Sequence, residues 1–404
     1  MRYPDPANDF TIASFNVKNL IGPDQEYYRF ESYTPEEYAW KEDWLADQLL
    51  TMNADIVGFQ EIFDRASLSA VVRETNERGA AANADVIPSR DKRYHRKAIF
   101  KKLKYEGYDS NSMFFAPNLF DGEPGNRRPG LAMLSRFGFD EEPQVIQELP
   151  VPLTIDFPHI GGGEAGQYTL TKLSRPVIKA RIPVNGQVIT VFNCHLKSKL
   201  GEYIRPEGAP FAPEANLLDY DPVGRAIGEL RSMLRRTAEA AVLREMIVAE
   251  LKADHPVFVL GDMNDGDHAV SSAVITGERP FKNYAWMRRH DAERRNDRYT
   301  DEENIRITEA IESVRLTSAE KLFVRKSLRD MVYTSAFGGV FESIDQILMS
   351  RHFNPENPDA IGGMEYFSVF NDHLTDGSHA EAPYNKLASD HGQIMAHMRL
   401  KPRV

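Results

Sequence analysis

The stretch Pro256-Val257-Phe258-Val259-Leu260-Gly261-Asp262-Met263-Asn264 decides how the rest of the chain is read. Four consecutive apolar residues bounded by proline and glycine are too few for a buried helix. They read as a buried strand that ends on a carboxylate and an amide. Working outward, the same design recurs. Thr11 to Asn16 closes on an amide, and Asp55-Ile56-Val57-Gly58-Phe59-Gln60-Glu61 closes on a carboxylate. Gly130 to Ser135, Pro176 to Arg181 and Val188 to His195 follow, the last two joined through Asn185-Gly186, the signal of a tight hairpin. The final motif, Ser389-Asp390-His391-Gly392, leads into a strand from Gln393 to Leu400, and Phe341 to Ser350 reads as a strand carrying Asp345.

Helical spacing appears in two places between these runs. Trp44, Leu45, Leu49, Leu50 and Met52 recur at helical intervals up to Asn53, and a longer pattern extends from Val223 to Lys252. Strands outnumber helices, and the helices interrupt them without strict βαβ alternation. That pattern favours an α+β arrangement, two packed mixed sheets flanked by helices, over one parallel sheet. The sequence shows no internal repeat, low-complexity tract or Pro/Gly/Ser linker. It reads as a single domain over residues 1–404, with a basic insertion near 65–107 and a charged helical insertion near 267–329.

Composition excludes several classes. The chain has 404 residues, 42% hydrophobic and 27% charged, an ordinary globular balance with neither a disordered nor a fibrous bias. Its one cysteine, Cys194, rules out an intrachain disulfide and suits a reducing compartment. The opening Met1-Arg2-Tyr3-Pro4-Asp5 lacks the basic-then-apolar run of a secretory signal, and no stretch approaches the ~18 apolar residues of a membrane span. A cytoplasmic location is the expectation. The formal net charge of −11 argues against coating nucleic acid by bulk attraction, but not against a nuclease with a local basic patch.

Five polar signatures sit at the ends of apolar runs: Asn16, Glu61, His195, the Asp262/Asn264 pair and the Asp390/His391 pair. Singly, each has a simpler explanation: a strand-end Asn or Asp forms turns, a Glu caps, a His packs. Together they describe one chemistry, because strand ends in a two-sheet core converge at a rim. Hard divalent cations take oxygen ligands, which suits Glu61 and Asp390. Two histidines and an amide beside such an ion are donors for the charged oxygens of a phosphoryl group in transfer. Zinc-type Cys/His spacing, a phosphate-binding P-loop and a serine nucleophile elbow are all absent.

In this order, Phe15-Asn16, Gln60-Glu61, Asn193-x-His195-Leu196, Gly261-Asp262-Met263-Asn264, Ile344-Asp345 and Ser389-Asp390-His391 resemble the endonuclease/exonuclease/phosphatase superfamily. That group includes deoxyribonuclease I, inositol polyphosphate 5-phosphatases and neutral sphingomyelinases. The resemblance implies a four-layer α/β/β/α sandwich and Mg²⁺, with Mn²⁺ as the alternative. It implies Glu61 as principal metal carboxylate, with Asn16 beside it and Asp390 completing the shell. Asp262 would orient or deprotonate the attacking water, and Asn264 would bond the phosphoryl group. His195 and His391 would stabilise the transition state or protonate the leaving oxygen, and Asp345 would fix the tautomer of His391. The general base is then either Asp262 or the Asp345–His391 pair. Arg128, Arg175 and Lys197, with Lys199, are the expected substrate contacts; His159, His255, His268 and His373 read as structural.

The branch is less legible. Leu260 stands where inositol 5-phosphatases carry an aromatic residue, and Glu342-Ser343-Ile344-Asp345 replaces their later signature. Exonuclease III-type enzymes lack the histidine found at 195, and vertebrate deoxyribonuclease I uses disulfides that this chain cannot form. Asn193-Cys194-His195-Leu196-Lys197-Ser198-Lys199 looks most like bacterial members, some of them nucleases. From Arg90 through Lys104 the chain is strongly basic, with Tyr94 and Phe100 interleaved, which favours nucleic acid as partner. The expectation is a nuclease. A sphingomyelinase-type or small-molecule phosphodiesterase and a non-catalytic binding module of the same fold are the alternatives. Oligomeric state cannot be read from the sequence.

Overall fold

The computed structural model describes residues 7–28, 31–84, 104–109, 112–120, 128–157, 166–203, 220–277, 300–326, 332–337, 340–374 and 387–402. Period-two patterning in the central strands dictates the layers. In β1 (Asp9–Leu20), Phe10 and Ile12 join one apolar cluster while Ala13, Phe15 and Val17 join another. β2 (Ile56–Ile62) divides likewise, Ile56 to one side, Val57 and Phe59 to the other. Successive side chains of a strand point to opposite faces, so both faces of this sheet are buried and each needs cover.

Helices cover one face. Leu45, Leu49 and Met52 of α1 (Pro35–Met52) and Leu68 and Val71 of α2 (Arg65–Ala84) pack on Phe15, Val57 and Phe59. α1 begins at a Thr34/Glu37 capping box with Pro35 in its first turn, and ends at Asn53, whose φ of 47° is left-handed. The other face meets a second sheet. The first sheet also contains β3 (Met113–Ala116), β4 (Gly130–Ser135), β13 (Gly362–Phe370) and β14 (Gln393–Leu400), in the order β13-β14-β1-β2-β4-β3. The second holds β5 (Gln144–Phe157), β6 (Gly166–Val184), β7 (Gln187–His195), β8 (Val257–Asp262), β12 (Asp345–Ser350) and β9 (Leu316–Ser318), in the order β5-β6-β7-β8-β12-β9. Ile178, Val191, Phe258, Leu260 and Ile347 of the second sheet meet Phe10, Ile12, Ile56 and Leu131 of the first. On its outer side, Leu243, Ile247 and Leu251 of α3 (Pro222–Lys252) pack against Phe192, Val257 and Val259. Helix, sheet, sheet, helix is the layering that the sequence pattern implied.

Two strand pairs are parallel among the described pairings, β1 with β2 and β7 with β8; the others run antiparallel. β12 runs antiparallel to β8 and starts opposite its end, Asp345 facing Asp262 in register. β14 runs antiparallel to β1, so the Ser389–Gly392 segment before it returns to the end of β1. Asn185 and Gly186 both have positive φ, 47° and 84°, and close the β6–β7 hairpin as a two-residue turn.

Two sequence expectations need correction. Phe341 to Ser350 is not one strand. β11 (Val340–Glu342) pairs with β10 (Ser335–Phe337), and the chain breaks before β12, where Thr334 Oγ1 accepts the N–H groups of Ile344 and Asp345 at 3.1 and 3.0 Å. The segment 267–329 is not wholly helical either. Its described residues form α4 (Val270–Thr276), α5 (Asp301–Val314) and α6 (Ala319–Lys326), but also β9, an edge strand of the second sheet. A three-residue strand is too short to show periodicity. Of the basic run Arg90–Lys104, only Lys104 lies within the described residues.

The approach of β7 to β8 depends on Gly261. Its φ is 141°, and a Cβ there would lie 1.9 Å from the carbonyl oxygen of Cys194, its register partner. Gly261→Ala is expected to cost at least about 3 kcal/mol of unfolding free energy by denaturant titration. A loss under about 1 kcal/mol would show that the close approach is not required.

Candidate active site

Inner-face parity carries four of the expected residues to one rim. On β1 the apolar Phe10 and Ile12 are followed at the same parity by Ser14 and Asn16, and on β7 Ile189 and Val191 are followed by Asn193 and His195. On β8 Phe258 and Leu260 give way to Asp262, and on β12 Asp345 precedes Ile347. The apolar layer between the sheets thus ends in a polar one. Gln60 Nε2 donates to Asn193 Oδ1 at 2.7 Å, and Asn193 Nδ2 donates across the sheets to the carbonyls of Phe59 (3.1 Å) and Ala132 (2.9 Å). Gly58 leaves the room: a Cβ there would fall 2.9 Å from Asn193 Cγ.

Above this floor, Asp262 Oδ2 is the point of convergence. Asn16 Nδ2 lies at 3.1 Å, His195 Nε2 at 3.2 Å and His391 Nε2 at 3.8 Å. The other carboxylate oxygen accepts the N–H of Asn264 at 2.7 Å. Asn264 itself has φ 52°, and its amide donates to the Leu196 carbonyl at 3.0 Å, so it ties the ends of β7 and β8 together.

Glu61 arrives by another route. Its parity on β2 would send it to the helix-covered face. However, Gln60 pairs with Leu131 and Ile62 with Gly130, which leaves Glu61 as the extra residue of a bulge, at φ 65°. The carboxylate turns to the rim, where Oε1 accepts from Asn16 Nδ2 at 3.4 Å and Oε2 from the Asn19 N–H at 3.0 Å. Ser389 docks the last motif on β1: its hydroxyl donates to the Asn16 carbonyl at 2.6 Å and accepts the His391 N–H at 3.0 Å. Asp345 Oδ2 holds His391 Nδ1 at 2.8 Å, while the exposed Asp390 comes within 3.8 Å of Lys18 Nζ.

The two histidines titrate in opposite directions. Burial pushes His195 well below its ordinary value, helped by the positive charges of Arg175 and His391, so it is neutral. Burial would also lower His391, but the charges of Asp345 and Asp262 outweigh it and hold the imidazole well above its ordinary value. Burial raises Asp262; His391 opposes this and Asp345 adds to it. Glu61 is raised by burial and then by the charge of Asp390.

That last effect bears on a cation. The charge of Asp390 raises Glu61, a repulsion that a positive ion held by their oxygens would relieve, so the donor chemistry fits a hard divalent ion. Asn16 fits less simply. Its Oδ1 accepts the Lys18 N–H at 3.0 Å and its nitrogen faces the carboxylates, so ligation through oxygen requires the amide to turn over. Asp262, Asp345 and His391 also bring ligand atoms within 4.8 Å of one another. Yet Nδ1 of that histidine is engaged by Asp345, and its imidazolium already supplies the positive charge there.

Arg128, Arg175 and Lys197 line one cleft of about 540 Å³, together with Tyr28, Phe120, Glu202 and Arg235. Arg175 donates to the Leu196 carbonyl at 3.3 Å, one residue from His195, so the cleft opens beside the rim. Lys197 turns its ammonium onto the Leu200 carbonyl at 2.8 Å, and burial lowers its pKa to about 8. Lys199 is paired with Glu342 at 2.6 Å. Of the histidines read as structural, His255 pairs with Glu250 at 2.8 Å, His268 lies beside Asp267 at 3.4 Å, and His159 lies outside the described residues. His373 is structural as well. It bonds the His391 carbonyl at 2.9 Å and packs edge-on against Trp44, so it steadies the Ser389–His391 segment. Its sequence neighbourhood, Asn371-Asp372-His373, gives no periodicity that would have shown this.

The Asp345–His391 pair is testable without any metal. Asp345→Asn should lower the His391 pKa, followed by NMR in the metal-free protein. In the parent, the stabilisation tied to this proton is full below the unfolded value of about 6.5 and is lost as pH rises through the higher folded value. An unmoved titration would remove Asp345 as the cause.

No curated protein matches the sequence significantly. Similar solved structures include an endonuclease/exonuclease/phosphatase family protein from Leptotrichia buccalis C-1013-b, at 13% identity and TM-score 0.43, covering 97% of this chain and 100% of that one. Another of the same description, from Bacteroides thetaiotaomicron, has 13% identity and TM-score 0.46, covering 98% of each chain. TDP2 from Caenorhabditis elegans has 11% identity and TM-score 0.42, covering 97% of this chain and 74% of that one. The family model described as Endonuclease/Exonuclease/phosphatase matches residues 13–391, a span from β1 to His391, and the chain belongs to that family.

Proposed function

We propose that the protein hydrolyses phosphodiester bonds with a divalent cation, Mg²⁺ or Mn²⁺, and that its substrate is a nucleic acid. The observation that carries this reading is the convergence of Asn16, His195 and His391 on one oxygen of Asp262, with Glu61 tied in through Asn16.

His391 is held as an imidazolium and has no lone pair to accept a proton. That favours Asp262 over the Asp345–His391 pair as the group that orients water and takes its proton. The raised pKa of Asp262 makes it a stronger base than an ordinary aspartate. The water oxygen forms a bond to phosphorus as the bond to the leaving oxygen breaks. The imidazolium of His391 can donate to a non-bridging or leaving oxygen, and the neutral His195 can donate through Nε2. Asp345 fixes the His391 ring through Nδ1. A cation bound by Glu61 and Asp390 would lower the pKa of water and neutralise charge on the phosphoryl oxygens. Asn16 is proposed to complete that shell after its amide turns, and Asn264 to brace Asp262 rather than to reach the phosphoryl group.

The cleft supports a polyanionic substrate, since Arg128, Arg175 and Lys197 line it with two aromatic rings. No helix among the described residues is long and apolar enough to cross a membrane. The experiment is a panel of plasmid DNA, RNA, bis(p-nitrophenyl) phosphate, a phosphomonoester and sphingomyelin vesicles, with Mg²⁺ or Mn²⁺. Nucleic acid is expected to be cleaved, EDTA to stop the reaction, and Asp262→Ala or His391→Ala to lower kcat at least about 100-fold. Cleavage confined to lipid would move the substrate elsewhere within the family. No turnover of any member would favour a binding module instead.

A further inference from the structure

Lys41 lies on the inner side of α1 with an exposure of 0%. A buried ammonium is ordinarily paired with a carboxylate. This one donates instead to two backbone carbonyls, Val17 O at 3.0 Å and Leu387 O at 3.1 Å, with the Tyr33 ring centroid 5.6 Å away. Burial and the charge of Lys18 push its pKa down to about 7, against the pull of Glu61 and Asp390.

The two carbonyls belong to the two segments that present the acidic rim. Val17 follows Asn16 and leads into Lys18 and Asn19, at φ 53° and 57°, and the Asn19 N–H holds Glu61. Leu387 opens the turn that carries Ser389, Asp390 and His391. One side chain therefore joins both segments from beneath, and its compensating charges are the carboxylates above it. A neutral donor would satisfy the same carbonyls without the desolvation cost of a charge.

We propose that Lys41 is a positioning residue for the cation site, clamping Val17 and Leu387 so that Glu61 and Asp390 face one volume. This rests on the reading of those two carboxylates as cation ligands. Lys41→Met keeps the volume but removes donors and charge; Lys41→Gln keeps a neutral donor. Mn²⁺ binding to the full chain by calorimetry is read beside metal-free thermal unfolding and turnover of bis(p-nitrophenyl) phosphate. Lys41→Met is expected to fold, to bind Mn²⁺ about 10- to 100-fold more weakly, and to lose kcat by a similar factor with little change in KM. Lys41→Gln should recover part of the affinity. A folded Lys41→Met with Mn²⁺ affinity within about twofold of the parent overturns the proposal. Unfolding of both variants overturns it too, because the lysine would then serve the fold as a whole. A parent chain that binds no Mn²⁺ removes the cation reading itself, and this proposal with it.

Discussion

Two parallel strand pairs, β1/β2 and β7/β8, meet face to face and end at the same rim, and the rest of the structure follows from that closure. Deep between the sheets, inner-facing positions are filled by Phe10, Ile12, Phe258 and Leu260. One or two inner-facing positions further along their strands stand Asn16, His195 and Asp262, all buried. Polar groups buried there must bond one another or be left costly. The Gln60–Asn193 pair and its bonds to Phe59 and Ala132 supply the floor, and Asp262 collects the donors above it.

Charges of both signs crowd this rim, Lys18 and Arg175 among the cations. Glu61, Asp262, Asp345 and Asp390 face it, while Lys41 lies beneath and His391 is the protonated ring among them. The imidazolium is held between Asp345 and Asp262, while burial and then the charge of Asp390 raise Glu61. A site divided in this way keeps a proton donor on one side and room for a hard ion on the other. That division suits attack on a charged phosphoryl group.

Much of this was legible in the sequence because apolar runs of four to six residues mark buried strands, and the polar residue closing each run marks the rim. Asn16, His195 and Asp262 were found in this way, and the order of motifs pointed to the family. Glu61 reached the rim for a reason that no pattern shows, since strand parity places it on the wrong face and the left-handed bulge at φ 65° turns it back. Lys41 was missed because its contacts are backbone carbonyls of residues distant in sequence, and the bond of His373, read as structural, to the His391 carbonyl is of the same kind. Thr334 was missed for a similar reason: its hydroxyl ends one strand and starts the next, a tertiary effect invisible to periodicity. Lys197 and Lys199 read as substrate contacts from their position after His195; Lys197 lines the cleft with its ammonium on local carbonyls, and Lys199 pairs with Glu342.

A divalent cation is proposed on the Glu61–Asp390 side of the rim, apart from the Asp345–His391–Asp262 cluster. Anomalous diffraction from crystals grown with Mn²⁺ tests this most directly. One peak is expected, bonded to a Glu61 oxygen at about 2.0–2.3 Å, with Asp390 in or beside its shell. A sole peak bonded to His391, or none at saturating Mn²⁺, would contradict it.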